Sequence, residues 1–219
     1  MLGQKSQIKA VIFDMDGVLF LSTDCHEEAF RLTLGKKDSQ AFVYHEIAGM
    51  RTDEAFRFFY QKNQIPFDEE LITKLVEEKR KNAIRLLREK GRVATGTRDL
   101  LERLASQYRL VLASSASLPT IELFLSLSET RDLFEYVLDG SMVKQAKPAP
   151  DVYLLATEKL NLLPRECVVI EDALKGAEAS FRAGIPLIIV TTSDKKTSFL
   201  QFNPIMIVSE VREVGKILL

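Results

Sequence analysis

The sequence has little cysteine, no long apolar run and no excess of charge of either sign. Its 219 residues include two cysteines, Cys25 and Cys167, which argues against a disulfide framework and favours a reducing compartment. A membrane-spanning helix needs about 20 consecutive apolar residues, and no run approaches that length. The apolar stretch at residues 10–13 ends in Asp14 and is too short for a signal peptide. We therefore expect a cytoplasmic protein that makes no membrane contact.

Charge and composition narrow the class of protein further. The chain has 30 basic and 31 acidic residues, a net charge of −1, so nothing in its overall charge directs it to nucleic acid. An apolar content of 46% and a charged content of 28% are typical of globular proteins and exclude a mainly disordered chain. The length suits one domain, or one domain that carries an inserted subdomain.

Short apolar runs alternate with helical patterns along most of the chain. The runs lie at residues 8–13, 110–113, 167–170, 185–190 and, more weakly, 205–208. Continuous runs of this length are typical of strands buried on both faces. Helical patterns at residues 97–107, 151–160 and 173–183 separate them. This alternation predicts an α/β fold with a doubly wound, Rossmann-like parallel sheet and helices on both faces.

One long segment does not alternate. Between residues 22 and 91 the apolar spacing is helical, at 26–34, 52–63 and 68–87, and the segment is too long for a loop after a strand. We predict an inserted, all-helical subdomain at residues 22–91. The α/β core would then comprise residues 1–21 and 92–219, with the two crossings acting as hinges.

Chemistry-bearing side chains follow the predicted strands. In open α/β sheets ligands bind beyond the carboxyl ends of the strands, and here those ends carry Asp14, Asp16, Ser114, Glu171 and Asp172. These residues therefore form one candidate site.

The first element is an Asp-x-Asp-Gly motif that begins at Asp14. Two carboxylates at a strand end suit a nucleophile, Asp14, and a general acid/base, Asp16, while Gly17 lets the backbone approach a ligand closely. For such a motif standing alone, a capped turn at a strand end is the better explanation. A calcium loop does not, because Cys25 occupies the position of its distal glutamate.

Three further elements have anion-binding or metal-binding chemistry. The Ser114 hydroxyl and the backbone N–H groups after it, including that of Ser115, suit phosphate oxygens. Lys147 starts a rigid Lys-Pro-Ala-Pro turn, where an ammonium can offset charge on a transferring phosphoryl group. Glu171 and Asp172 supply the hard oxygen ligands that Mg²⁺ prefers. Taken singly, each also fits a serine-rich loop, a surface lysine or acids at a helix N-terminus.

In this order the four elements resemble the haloacid dehalogenase superfamily. The sequence is most similar to the branch of β-phosphoglucomutase and related small phosphatases, which carries a helical cap after the first motif. The motifs that carry the resemblance are Asp14-Met15-Asp16-Gly17-Val18, Ser114, Lys147-Pro148-Ala149-Pro150-Asp151 and Glu171-Asp172.

The resemblance implies a role for each of these residues. Asp14 would attack phosphorus and form an aspartyl-phosphate, and Asp16 would protonate the leaving oxygen and later activate water. Ser114 would hold the phosphoryl group, with Gly17 and Ser115 beside the substrate, and Lys147 would neutralise its charge. The metal set would be Asp14, Asp16 through its backbone carbonyl, Glu171 and Asp172, with Asp172 a direct Mg²⁺ ligand. An acid role for Asp16 requires a raised pKa.

His26 matches a histidine of the same branch, and Arg51 lies in a segment, Gly49-Met50-Arg51-Thr52, that resembles the substrate-facing loop of its cap. His26 would couple substrate contact to the placement of Asp16, although a surface histidine or a core histidine with satisfied hydrogen bonds is equally consistent. Arg51 would pair with a distal phosphate or carboxylate of the substrate, with a surface salt bridge as the alternative. No lysine of the cap is assigned a role.

Departures from the mutase pattern favour hydrolysis. Where the mutase carries an arginine and a Lys-Asn pair that bind a second phosphate, this chain has Thr52 and Leu118-Pro119. We therefore predict a Mg²⁺-dependent phosphatase of a small phosphorylated metabolite, with sugar phosphates as the expected substrate class. The alternatives are a hexose-phosphate mutase and a non-catalytic binding protein that retains the fold. The expected state is a monomer or weak homodimer.

Overall fold

The computed structural model describes residues 8–191 and 196–219 and contains a six-stranded parallel sheet. The strands of the chain are β1 (Ala10–Phe13), β2 (Phe20–Leu21), β3 (Arg92–Val93), β4 (Arg109–Ala113), β5 (Tyr136–Leu138), β6 (Cys167–Glu171), β7 (Leu187–Val190) and β8 (Met206–Val208). The order across the large sheet is β5-β4-β1-β6-β7-β8. Strand β1 pairs with β4 on one side and β6 on the other, so the carboxyl ends of these three strands meet at the middle of one sheet edge.

Helices cover both faces of this sheet, which confirms the predicted α/β fold. The α-helices are α1 (Thr23–Asp38), α2 (Thr52–Lys62), α3 (Glu69–Lys90), α4 (Thr97–Ala105), α5 (Leu118–Ser128), α6 (Asp151–Leu160), α7 (Leu174–Ala183) and α8 (Gly215–Leu218). Alternate residues of β1 enter different cores, because successive strand side chains point to opposite faces. Val11 and Phe13 pack with α4, α5 and α8, whereas Ala10 and Ile12 pack with α6 and α7.

The polypeptide between β2 and β3 forms three helices around a core of its own. We call residues 22–91 the helical segment. Its buried cluster is rich in aromatic side chains, and Phe30, Phe42, Phe56 and Phe59 lie in ring contact with one another along a chain of neighbours. Asp68 precedes helix α3, and its carboxylate accepts a hydrogen bond from the Leu71 N–H and so caps the helix.

The two crossings into and out of the helical segment lie side by side. Strands β2 and β3 pair in antiparallel fashion, with Phe20 opposite Val93 and Leu21 opposite Arg92. The apolar pattern does not predict this pair, since two residues are too few for a periodic signal. Strand β5 and helix α5 also lie outside the predicted elements. None of the helices within residues 8–191 and 196–219 is long and apolar enough to cross a membrane.

Candidate active site

A buried ion pair lies at the carboxyl end of β1. The Asp14 N–H donates to the Ile170 carbonyl at 3.0 Å, which continues the β1–β6 ladder one residue beyond the strand. Lys147 Nζ lies 2.5 Å from Asp14 Oδ1 and 2.8 Å from Glu171 Oε1. The Lys147 side chain is 1% exposed. Burial acts to lower the pKa of Lys147, but Asp14 and Glu171 raise it well above its ordinary value, so Lys147 is a cation beside Asp14.

Glu171 holds Lys147 in position. Its Oε1 atom also accepts a hydrogen bond from the Tyr153 hydroxyl at 2.9 Å, and Lys147 Nζ lies 4.8 Å from the centre of the Tyr153 ring. Its Oε2 atom accepts from the N–H groups of Asp172 and Ala173 at 2.8 and 2.9 Å. Since a buried charged group is costly unless it is paired and hydrogen-bonded, this set of donors is what lets the glutamate and the lysine stay buried together.

Gly176 makes room for the Glu171 carboxylate, and its replacement is a test of this packing. A Cβ at position 176 would lie 1.6 Å from Glu171 Oε1, so Gly176→Ala must displace Glu171 from Lys147 and Tyr153. Disturbing a buried charge network costs about 3 kcal/mol, and we expect the thermal midpoint to fall by about 6–12 °C. Differential scanning calorimetry measures the change.

The matched control is Gly184→Ala at the end of α7. An added Cβ there meets nothing within 4 Å, and the only penalty comes from a φ of +67°, about 1 kcal/mol. An equal fall of the thermal midpoint in the two variants would contradict the packing role assigned to Gly176.

The second carboxylate of the Asp-x-Asp motif belongs to a different network. Asp16 Oδ1 accepts a hydrogen bond from Ser22 Oγ at 2.6 Å and lies 3.0 Å from His26 Nε2 on α1. On the other side of the ring, His26 Nδ1 lies 3.0 Å from Lys79 Nζ on α3. An ammonium only donates, so we assign Nδ1 as the acceptor and place the ring proton on Nε2, facing Asp16.

This network changes the expected ionisation of Asp16. Burial acts to raise its pKa, but His26 and Ser22 outweigh burial and the pKa is lowered. The raised pKa that the acid role of Asp16 requires is therefore not seen in this structure, because hydrogen bonds from Ser22 and His26 favour the ionised carboxylate. The pKa of His26 is itself lowered, by burial and by the Lys79 charge, which agrees with a neutral ring.

The acidic residues around Asp14 fit a hard divalent cation. Asp14, Glu171 and Asp172 are buried and each offers a carboxylate oxygen within 4.8 Å of the others. Gly17 faces this cluster with a φ of +81°, and a Cβ there would lie 2.0 Å from Asp172 Oδ2. Three carboxylates and one lysine leave an excess of negative charge, and hard oxygen donors are the ligands that Mg²⁺ prefers.

The serines after β4 lie across the same cavity. Ser114 Oγ accepts a hydrogen bond from the Ala116 N–H at 3.0 Å, and Ser114, Ser115 and Ala116 line the cavity together with Asp14 and Asp16. Ser115 Oγ donates to the Gly49 carbonyl of the helical segment at 2.8 Å. The structure thus brings the second predicted element to the first.

The helical segment closes the cavity from above. Its contribution to the lining is mostly apolar, with Phe30, Tyr44, Ile47 and Met50. Arg51 lies at the rim, where its guanidinium contacts carboxylates and backbone carbonyls described below. Its predicted contact with the substrate stays a prediction.

Four residues of the site escaped the sequence analysis: Ser22, Tyr44, Lys79 and Tyr153. Lys79 had a detectable signal, because it interrupts the buried stripe of α3 between Val76 and Ala83, and a lysine is rarely buried without a partner. Lys147 is buried, whereas the neighbouring Lys144 is exposed.

Comparisons with known proteins agree on one family. The family model for haloacid dehalogenase-like hydrolases matches residues 8–184. A phosphorylated carbohydrates phosphatase of Thermotoga maritima is 34% identical, over 81% of this chain and 82% of its own. Hexitol phosphatase B of Escherichia coli K12 is 30% identical, over 94% of this chain and 91% of its own.

A solved structure agrees with these matches at the level of the fold. The crystal structure of a hydrolase from Pseudomonas syringae superposes with a TM-score of 0.86, covering 95% of this chain and 97% of that chain at 20% identity. The chain belongs to the haloacid dehalogenase-like hydrolase family.

Proposed function

We propose that the protein is a Mg²⁺-dependent phosphatase that hydrolyses a small phosphorylated carbohydrate through an aspartyl-phosphate. The observation that carries the proposal is the Asp14–Lys147 ion pair at the sheet edge, with Asp14 lining the same cavity as Asp16. The names of the two phosphatase relatives support the carbohydrate class.

Asp14 supplies the nucleophile in this proposal. A carboxylate oxygen of Asp14 bonds to phosphorus while the bond from phosphorus to the leaving oxygen breaks. Lys147, held by Glu171, offsets the charge on the transferring group, and Ser114 binds one of its oxygens. Asp14, Asp172 and the backbone carbonyl of Asp16 would hold Mg²⁺, which supplies further positive charge against the phosphoryl oxygens.

Asp16 acts as the general acid in the first step and as the general base in the second. Its lowered pKa favours the ionised form, which suits the second step, in which Asp16 takes a proton from the water that attacks the phosphorylated Asp14. In the first step Asp16 gives a proton to the leaving oxygen. The charge of a bound phosphoryl group raises the pKa of a neighbouring carboxyl, so substrate arrival and protonation of Asp16 are coupled.

The helical segment acts as a cap in this proposal. Residues 22–91 would open and close on the core about the β2–β3 pair, because both polypeptide crossings run through it. Closure would exclude water while phosphorus is transferred. The apolar lining from Phe30, Tyr44, Ile47 and Met50 then surrounds the uncharged part of the substrate.

Two features favour a phosphatase that binds a single phosphate over a mutase that must bind two. Arg51 is engaged by Asp53, Glu54 and backbone carbonyls, which leaves little capacity for a distal phosphate. The positions of the mutase Lys-Asn pair hold Leu118 and Pro119. A phosphatase needs one phosphate and water, and this site provides for both.

The test is release of inorganic phosphate from a panel of sugar monophosphates, polyol phosphates and sugar bisphosphates. We expect rapid release from one or a few monophosphates with Mg²⁺, and a loss of at least about a hundredfold with EDTA, since a metal contributes several kcal/mol of transition-state stabilisation. Re-addition of Mg²⁺ after EDTA is the control. Release that persists in EDTA would contradict the metal role, and no release from any compound would contradict the phosphatase.

A further inference from the structure

A set of polar contacts joins the beginning of α2 to the loop that carries Lys147. Arg51 Nη1 donates to the carbonyls of Val143 at 3.2 Å and Gly140 at 3.3 Å. Glu54 Oε1 accepts a hydrogen bond from the Ala146 N–H at 3.1 Å. The same Glu54 oxygen lies 3.1 Å from Arg51 Nη2, so one arginine and one glutamate of the helical segment act together on this loop.

Arg51 is held in place for these contacts by its own neighbours. Its Nε atom donates to Asp53 Oδ1 at 2.7 Å and Nη2 donates to Asp53 Oδ2 at 3.3 Å. The planar guanidinium forms such two-point pairs with a carboxylate. The pair with Asp53 orients Arg51 Nη1 toward the carbonyls of the core. Asp53 and Glu54, the two carboxylates that contact Arg51, both lie in the first turn of α2.

The loop at residues 140–146 leads directly into Lys147. Ala146 is the residue before it, and the Ala146 carbonyl accepts a hydrogen bond from the Ala149 N–H at 2.9 Å. The peptide of Ala146 is thereby fastened on its N–H side by Glu54 and on its carbonyl side by the turn that follows. Its position determines where the Lys147 backbone begins, and Lys147 Nζ must reach Asp14.

From this geometry we propose that Arg51 and Glu54 are positioning residues that couple closure of the helical segment to the placement of Lys147. We call Arg51, Glu54 and the loop at residues 140–146 the latch. The inference rests on the proposed function, because Lys147 acts on a phosphoryl group there. When the helical segment moves away, Ala146 loses its acceptor and the loop loses the Arg51 contacts.

The exposure of the latch suits a contact that breaks in each cycle. The side chains of Arg51 and Glu54 are 22% and 27% exposed, so water can replace each partner when the segments separate. By contrast, the Lys147 and Glu171 side chains are each 1% exposed. The contacts of the latch are therefore partly exposed and can break, whereas the ion pair between Lys147 and Glu171 stays buried.

The helix α2 offers a matched control. Arg57 is also partly exposed and pairs with Asp53 and Glu69 at 2.7 Å each, and both partners belong to the helical segment. Arg57→Ala therefore removes ion pairs of similar geometry from the same helix while the contacts to the loop at residues 140–146 remain.

The experiment uses the full chain of Glu54→Ala, Glu54→Gln and Arg57→Ala. Hydrogen exchange is measured with Mg²⁺ and inorganic phosphate, and turnover is measured with Mg²⁺ and the best substrate of the panel. In Glu54→Ala we expect faster exchange in peptides that cover residues 141–147 and a kcat about tenfold lower, in the range for loss of a supporting contact. Glu54→Gln keeps an acceptor for the Ala146 N–H, so its exchange rate in this loop and its kcat should both lie close to the wild-type values. Arg57→Ala should match the wild type.

Two results would overturn the latch. One is wild-type exchange in the loop of Glu54→Ala. The other is an equal effect of Arg57→Ala, which would assign the change to the stability of α2. Failure of the proposed function is distinguishable, since it would appear as absence of wild-type turnover, whereas exchange still reports whether Glu54 fastens the loop. Equal thermal midpoints in all variants establish that the comparison is made on folded protein.

Discussion

Replacing Asp14 by asparagine is expected to abolish phosphate release while the protein stays folded. The amide keeps the shape of the carboxylate but is a very poor nucleophile, so no phosphoryl-enzyme forms. Loss of the nucleophile in enzymes that use covalent catalysis lowers kcat by factors of a thousand or more, and we expect at least about a thousandfold here. The measurement is single-turnover phosphate release with the best substrate of the panel.

The fold should tolerate this change. Lys147 keeps its contact to Glu171 at 2.8 Å, so the lysine is not left without a carboxylate. Removing one charge from a cluster of three buried acids also lowers their mutual repulsion. We therefore expect a thermal midpoint equal to or above that of the wild type.

Asp139→Asn is the matched control. Asp139 is buried directly after strand β5, which is separated from β1 by β4, and it accepts a hydrogen bond from the Ser141 N–H at 2.7 Å. Asparagine keeps that acceptor, so the same substitution two strands away should leave kcat within about twofold, as for substitutions that preserve the local contacts. Substantial turnover in Asp14→Asn would exclude Asp14 as the nucleophile.

The centre of the site is predictable from the sequence because its residues directly follow apolar runs. A buried strand of a parallel sheet has a continuous apolar run in its sequence, and ligands of such sheets bind beyond the carboxyl ends of the strands. The positions of Asp14, Ser114 and Glu171 follow from these two observations. Lys147 stands apart from any strand. It is predictable because proline on either side of Ala149 marks a rigid turn.

The supporting residues are less predictable because their partners are distant in the chain. His26 and Lys79 are 53 positions apart, and the packing of α1 against α3 brings them together. Tyr153 looks like an apolar residue of α6, and only the structure reveals its hydroxyl on Glu171. The contacts of Arg51 cross from the helical segment to the core, so local spacing contains no information about them.

Lys79 provides the second large effect, in which stability and activity change in opposite directions. The side chain is 6% exposed, and burial lowers its pKa from 10.5 to about 8. At 1.36 kcal/mol per pKa unit, a difference of this size corresponds to about 3 kcal/mol that the folded state loses by holding the charge. Lys79→Met retains an unbranched chain against Phe30 and removes that charge. We expect the free energy of unfolding at pH 7 to rise by about 1–3 kcal/mol.

The same substitution should impair turnover. Without the Lys79 ammonium, His26 Nδ1 loses its donor at 3.0 Å, and the ring is free to carry its proton on either nitrogen. Asp16 then loses the fixed N–H that orients it. We expect kcat to fall about 10–100-fold, as for loss of a residue that orients a catalytic group, with KM changing less.

The stability difference between Lys79→Met and the wild type should depend on pH. Between about 8 and 10.5 the unfolded lysine holds its proton while the folded one releases it, so wild-type stability rises with pH across this window relative to the variant. The advantage of Lys79→Met should therefore be full below about pH 8 and vanish toward pH 10.5. Thermal unfolding of both proteins at pH 7, 8, 9 and 10 measures the difference.

The control for both readouts is Lys74→Met on the same helix. Lys74 is 69% exposed and pairs with Glu70 four residues earlier, and an exposed pair of this kind contributes only about 0.3–0.5 kcal/mol. Its removal should change stability by no more than that and leave kcat unaltered. A Lys79→Met protein that is less stable at pH 7, or as active as the wild type, would show that the buried ammonium serves packing and not the orientation of His26. A more stable and slower variant means that the chain retains a buried charge at the expense of stability, because the charge fixes the proton that His26 directs at Asp16.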